Sequence, residues 1–195
     1  MRVTTLIDNR PAPQLTAEWG LAFWIEYQDK HILLDTGGGE NFARNAAALG
    51  IYLSRADFAV LSHAHWDHAD GLPAFFRRNP TAPLYLRQGC GEDCYDRTDR
   101  GWRYEGIRKG TLAEYADRIR FVSGPFSPAP GVSLLPHTTP GLAAKGKAGK
   151  MYRLRDGKYT PDDFSHEQSL LFQTDRGLVI FNSCCHAGAD VIVRE

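Results

Sequence analysis

Three histidines and an aspartate fall within positions 63–68, directly behind the apolar run Phe58-Ala59-Val60-Leu61. No other feature constrains the chain as much. Imidazole and carboxylate are ligands that borderline metals such as zinc prefer, and imidazole also suits iron, so the cluster reads as a metal site. A strand that ends at Leu61 and turns at Ser62 aims His63 and His65 the same way, because alternate side chains share a face. Asp67 and His68 follow in the turn or in the first turn of a helix, offset enough to reach a second ion. Gly71-Leu72-Pro73 closes the stretch. A polar loop that is histidine-rich by chance is not expected to show this order behind a buried strand.

The 195 residues suit one domain, 1–195, and 43% apolar residues can build its core. Basic and acidic residues balance at 23 each, so no global field recruits nucleic acid or a membrane surface. The first residues show neither the apolar core nor the cleavage site of a secretory signal, and no apolar run approaches bilayer-spanning length. A cytoplasmic protein acting on a small molecule is expected. Four cysteines in a chain of this length do not make a disulfide framework. Cys90 and Cys94 could form a metal clip but, with no second pair, read as reduced loop thiols, and the adjacent Cys184 and Cys185 are not expected to bond each other.

Along the chain, a β-branched run over 3–7 reads as the first strand, and 21–27 with 31–35 as a hairpin. The spacing of Phe42, Ala46 and Leu49 predicts a helix over 40–49, stopped by Gly50. Residues 58–61 and 83–86 read as strands and 72–78 as a short helix. Residues 87–110 read as an irregular insertion near the site, with Tyr95, Trp102 and Tyr104 able to wall a pocket. A short helix or edge segment is expected over 111–118. Strands are expected over 119–123, 132–135, 151–154, 169–174 and 178–181. The basic stretch 143–150 reads as a mobile loop whose lysines could meet an anionic group such as phosphate.

His63-Ala64-His65-Trp66-Asp67-His68 matches the HxHxDH signature, and the chain thereby resembles the metallo-β-lactamase fold superfamily. It is most similar to the branch of 7,8-dihydropterin-6-methyl-4-(ribofuranosyl)aminobenzene 5'-phosphate synthase-like proteins. Leu6-Ile7-Asp8-Asn9, Glu18-Trp19-Gly20-Leu21, Ile32-Leu33-Leu34-Asp35-Thr36-Gly37 and Asn45 with Leu49-Gly50-Ile51 carry the branch resemblance. So do residues 62–72, Glu167-Gln168-Ser169-Leu170 and residues 177–188. The resemblance implies an α/β fold, an αββα sandwich of two packed mixed sheets with outer helices, here missing its C-terminal strand.

It also implies one or two divalent ions, zinc foremost, with iron or manganese as alternatives. His63, His65 and His137 would form a first site, His137 standing where the superfamily commonly supplies its third histidine. Asp67 and His68 would begin a second. The run Asn182-Ser183-Cys184-Cys185-His186 stands where the superfamily often has a bridging aspartate, so His186, or else Cys184, is expected as a ligand. Asp67 is in addition the candidate proton acceptor beside a metal-held water. Asp35 is expected to accept a ring N–H of a ligand histidine and fix its tautomer. Asn9, Glu18 and Glu167 are candidate pocket residues, whereas His31 and His166 lack sequence partners and read as surface residues.

The expected activity is that of a metal-dependent hydrolase or related transferase using a metal-bound hydroxide. For the branch, the resemblance implies a pterin- and phosphate-linked substrate, a dihydropterin diphosphate condensing with a ribofuranosylaminobenzene phosphate. No histidine follows His186 to complete the second site in the superfamily manner. The alternative is therefore a non-catalytic metal- or ligand-binding member. A thiol-based redox protein built on Cys184 and Cys185 is a third reading, and it would need exposure and a depressed thiol pKa.

Overall fold

The computed structural model describes residues 1–195. In chain order it runs β1 (Arg2–Ile7), β2 (Ala22–Tyr27), β3 (Lys30–Leu34), α1 (Asn41–Ala48), a 3-10 turn (Leu53–Arg55), β4 (Phe58–Val60), α2 (Trp66–Ala69) and α3 (Leu72–Arg78). There follow β5 (Leu84–Arg87), β6 (Cys94–Thr98), β7 (Gly101–Tyr104), α4 (Thr111–Glu114), β8 (Ile119–Val122), β9 (Phe126–Ala129) and β10 (Val132–Pro136). The chain closes with α5 (Ala143–Ala148), β11 (Met151–Arg155), β12 (Lys158–Pro161), β13 (Gln168–Thr174), β14 (Gly177–Phe181) and α6 (Ala189–Arg194). Two compact units are woven from these elements. One comprises Met1–Leu61, His65–Tyr85 and Ile107–Arg120, the other Ser62–Ala64, Leu86–Gly106 and Phe121–Glu195.

The first unit is built on a mixed sheet of order β1-β2-β3-β4-β5-β8, in which β1 to β4 lie wholly within the unit. β1, β2 and β3 pair antiparallel, and β3, β4 and β5 parallel. Parallel strands are covered on both faces and so need continuous apolar runs. Ile32-Leu33-Leu34 and Phe58-Ala59-Val60 supply them, and all six side chains are buried. Helix α1 buries one face through Phe42, Ala43 and Ala46, and α3 buries Leu72, Phe75 and Phe76. Burying Phe42 and Phe75 completely contributes roughly 1.5–3 kcal/mol each. Asn45, buried on α1, donates to the carbonyls of Leu6 and Thr16 at 2.7 and 2.8 Å and accepts the Thr16 N–H. That amide ties α1 to β1 and to the loop behind it. Parallel pairing continues to the edge of the signature, where the Leu61 N–H donates to Tyr85 O at 3.0 Å.

The second unit holds two antiparallel four-stranded sheets, β14-β13-β10-β9 and β12-β11-β6-β7. Leu142, Phe164, Ala187 and Val191 form an apolar cluster in this unit, with Met151 against it. Two expectations change here. The stretch read as irregular contains the hairpin β6–β7, which aromatic pairs stabilise where aliphatic alternation is lacking. Tyr95 meets Tyr104 edge-on at 5.1 Å, and Trp102 stacks on Tyr159 at 3.7 Å. The stretch read as a mobile basic loop is largely the helix α5. Gly146 there signals close packing instead of freedom, because a Cβ at that position would collide with the Asp162 carbonyl. The edge strands β9 and β12 were not expected, and each carries a proline, Pro128 and Pro161, the residue tolerated at an edge. No helix is long and apolar enough to cross a membrane.

Candidate metal-binding site

In the second unit, Ser62–Ala64 is pinned from both sides. The Ser62 carbonyl accepts the Gln168 N–H at 2.9 Å, and the Ala64 N–H donates to His166 Nδ1 at 3.1 Å. Between them, His63 is fully buried, with Nδ1 2.7 Å from Ser62 Oγ. Its Nε2 faces His186 Nε2 at 3.4 Å. Two nitrogens on one tetrahedral zinc, each about 2.0–2.1 Å from the metal, lie about 3.3–3.4 Å apart. The pair therefore has the spacing of two ligands of one ion, and the Ser62 contact suits a ring whose Nδ1–H is held while Nε2 ligates.

His186 is delivered by the turn after β14. Asn182 shapes it by accepting the Cys185 N–H through Oδ1 at 3.1 Å, and Cys185 adopts φ +53°. Phe164 lies flat against the His186 ring, with centroids 5.4 Å apart and planes 10° apart. Cys184 is exposed on the same turn, and its sulfur lies within 4.8 Å of a His63 ring nitrogen. Both candidates from this run thus come close to His63.

His166, read as a surface residue, is wholly buried. Besides the Ala64 contact, its Nε2 lies 2.9 Å from Asp162 Oδ2 and 3.9 Å from Cys94 Sγ, and its ring stacks on His63 with centroids 6.2 Å apart. Donor atoms of Cys94, Asp162 and His166 all lie within 4.8 Å of one another. Burial disfavours a charged ring and the Asp162 carboxylate favours it. The Ala64 N–H aimed at Nδ1 opposes a second proton, so the geometry reads as a ring protonated at Nε2 alone. Asp162 itself is buried, which opposes ionisation. His166, the Phe164 N–H and Arg153 outweigh that and hold its carboxyl well below the usual range. For His166 itself the sequence signal was Asp162 four residues ahead, in a polar run that looks like an exposed loop.

In the first unit, the signature continues through His65, buried at the start of α2, to Asp67 and His68. His68 is buried with Nδ1 2.8 Å from Asp35 Oδ2, and its Nε2 lies 3.5 Å from Asp67 Oδ2. Imidazoles that ligate metals are commonly steadied by a carboxylate in this way, and Asp67 sets a second carboxylate beside Nε2. Asp35 is buried at φ +59°, a left-handed conformation costing a non-glycine residue about 1 kcal/mol. A strained residue of this kind is a candidate functional position. Glu18 accepts the Gly38 N–H at 3.1 Å and Asn41 Nδ2 at 2.6 Å, which braces the glycine turn behind Asp35. Asn9 is exposed in the bend after β1.

His137 is differently placed. Its Nε2 contacts Glu167 Oε1 at 2.8 Å and its Nδ1 contacts Glu195 Oε2 at 2.7 Å, so coordination by this ring would require one contact to give way. Burial disfavours its charged form, but the two glutamates outweigh this and raise its pKa. Glu167 is buried as well, and His137 and His186 nevertheless hold its carboxyl below the ordinary range. His31 is half-buried, stacked on Trp24 at 5.5 Å, with Nδ1 3.9 Å from Asp57 Oδ2. Cys90 and Cys94 are free and buried, and burial pushes the Cys90 thiol up to about 12.

The histidine-rich turn thus follows a parallel strand, with Asp35 steadying His68 and Ser62 steadying His63. The sequence model of the metallo-β-lactamase superfamily matches residues 18–146, and the chain belongs to that superfamily. Its relatives include a 7,8-dihydropterin-6-methyl-4-(β-D-ribofuranosyl)-aminobenzene-5'-phosphate synthase of Methanocaldococcus jannaschii. The two are 27% identical over 92% of this chain, which spans 65% of the length of that synthase. An uncharacterised protein of the same organism is 36% identical over 95% of this chain and 70% of its own length. Among solved structures, Tm1679, described as a metal-dependent hydrolase of the β-lactamase superfamily, superposes with a TM-score of 0.80 at 27% identity. That match covers 98% of this chain and 69% of Tm1679. The fold is that of the superfamily.

Proposed function

We propose that this protein is a metal-dependent enzyme acting on a small anionic molecule, a hydrolase or a transferase of related chemistry. The observation that carries the reading is the 3.4 Å separation of the His63 and His186 Nε2 atoms, the spacing of two zinc ligands. His63, His65, Asp67 and His68 supply the ligands of the signature, and His186, Cys184 and His137 are the candidates to complete the set. Zinc is the first choice for these donors, with iron or manganese as alternatives. A divalent ion held there would polarise a carbonyl or phosphoryl oxygen and acidify a water.

The chain's own residues supply the rest. Asp35 holds the His68 ring through Nδ1, and Ser62 holds His63 through Nδ1, so each ring presents Nε2. Asp67, 14% exposed beside His68, is placed to take a proton at a carboxylate oxygen. The relationship to the Methanocaldococcus jannaschii synthase supports a pterin- or phosphate-bearing substrate. The test is a panel of phosphoesters and lactones offered to the protein reconstituted with zinc, manganese or iron. Turnover that falls by about 100-fold or more in Asp67→Ala is expected, the size of a lost general base.

One observation favours a second reading. His137, a candidate for the first site, is engaged at both ring nitrogens by Glu195 and Glu167. A protein that binds metal but turns over nothing in the panel would be a non-catalytic metal-binding member. A protein that binds no metal would overturn both readings.

A further inference from the structure

A ligand histidine must be aimed, and the atoms that aim His63 come from residues outside the signature. Its backbone neighbour Ala64 donates its N–H to His166 Nδ1 at 3.1 Å. The His166 ring lies alongside the His63 ring, 6.2 Å between centroids and 27° between planes. His166 is in turn fixed at the other end. Asp162 Oδ2 lies 2.9 Å from its Nε2, and Asp162 also accepts the Phe164 N–H at 2.7 Å. The peptide behind the ring is fixed as well. The His166 carbonyl faces the Cys90 thiol at 3.3 Å, and Gly89 packs so closely on Ser165 that a side chain there would collide with its carbonyl. Asp162 and His166 are each at most 1% exposed.

We infer that His166, oriented by Asp162, is a positioning residue that holds the Ser62–Ala64 segment so that His63 presents Nε2 to the metal. The inference rests on the proposed function, in which His63 is a ligand. Its physical content is an acceptor requirement. A buried backbone N–H left unsatisfied is costly, and the Ala64 N–H is satisfied by one ring nitrogen whose lone pair must stay bare. Asp162 secures this by accepting the hydrogen bond of the Nε2–H. Asparagine at 166 would place an amide oxygen where Nδ1 stands, and phenylalanine would keep the ring without the acceptor.

The experiment is a cobalt(II) titration of the intact protein, followed by the visible ligand-field bands and by competition with a chelator. Wild type, His166→Asn, His166→Phe and Cys94→Ser are compared, and thermal unfolding is measured for each. We expect His166→Phe to weaken cobalt binding by about 10- to 100-fold, the range for residues that orient metal ligands, and His166→Asn to recover most of that loss. Equal affinity in folded wild type and His166→Phe would overturn the inference. So would a thiolate-to-cobalt band that disappears in Cys94→Ser, because His166 would then be a ligand beside Cys94. Wild type that binds no cobalt would sink the proposed function, and this inference with it.

If His166→Phe does not fold, nitrogen-15 NMR of the wild-type histidine rings decides. A neutral His166 protonated at Nε2 supports the arrangement, and a doubly protonated or Nδ1-protonated ring contradicts it.

Discussion

His63 and His186, 123 residues apart in the chain, bring their Nε2 atoms to 3.4 Å, while Ser62 Oγ occupies the other nitrogen of His63. If this spacing reflects shared coordination, His186→Ala should weaken zinc binding by at least about tenfold, as the loss of a ligand-sized contribution would. His31→Ala, which alters a half-buried ring packed on Trp24, should leave it unchanged. Competitive chelator titration of the two variants makes the comparison. Equal losses in both would remove His186 from the ligand set.

Asp35 and His68 form a buried pair at 2.8 Å in the first unit. Asp35→Ala leaves the His68 ring without its carboxylate and puts alanine at φ +59°. An unsatisfied buried donor costs about 1–3 kcal/mol and the left-handed backbone about 1 more, so a loss of about 2–4 kcal/mol is expected. Asp35→Asn keeps an acceptor and tolerates the backbone, and should lose clearly less. Urea unfolding of both variants measures this. A milder loss in the alanine variant would contradict the role given to Asp35.

Acid should destabilise the second unit through Asp162. Its folded carboxyl is held below the ordinary range, so in acid the unfolded chain binds the proton first. The stabilisation is present above the unfolded value of about 3.9 and is lost as pH falls through the folded one. Unfolding free energy should therefore decline below about pH 4 more steeply in wild type than in Asp162→Asn. Parallel slopes for the two proteins would show that Asp162 is not the group responsible.

Cys184 should separate cleanly from Cys90 and Cys94 by reactivity. Cys184 is exposed, whereas Cys90 and Cys94 are buried, with the Cys90 thiol raised to about 12. Alkylation followed by peptide mapping should label Cys184 first and leave Cys90 and Cys94 untouched until the protein unfolds. Zinc should protect Cys184 if its sulfur, within 4.8 Å of a His63 ring nitrogen, joins the ligand set. Labelling of Cys184 at an unchanged rate with zinc bound would leave His186 as the ligand from that turn.

The signature loop was legible because its chemistry is local. Strand, turn and candidate ligands occupy eleven consecutive positions, 58–68, and the burial of Phe58, Ala59, Val60 and Leu61 follows from their apolar character alone. The hairpin of β2 and β3, the helices α1 and α3 and the strands β10, β11, β13 and β14 were legible for the same reason. His166 was not, because what buries it is distant in sequence: Gly89, Cys90 and Cys94 close over a run, Asp162-Asp163-Phe164-Ser165-His166, that reads as solvated loop. Helix α5 was hidden by glycine and lysine, which suggest mobility, whereas Gly146 is where the helix meets the Asp162 backbone. His137 shows a different limit. A histidine after a strand and before Thr138-Thr139-Pro140-Gly141 looks like a ligand, but its two carboxylate partners, Glu167 and Glu195, lie 30 and 58 residues away.

Metal content per chain is the most direct test of the metal-centre account. Elemental analysis of wild type, His63→Ala and His186→Ala, each purified and reconstituted with zinc in the same way, reads it out. About one or two ions per wild-type chain and a clear loss in both variants are expected. Wild type without bound metal, or variants that retain the full wild-type complement, would contradict that account.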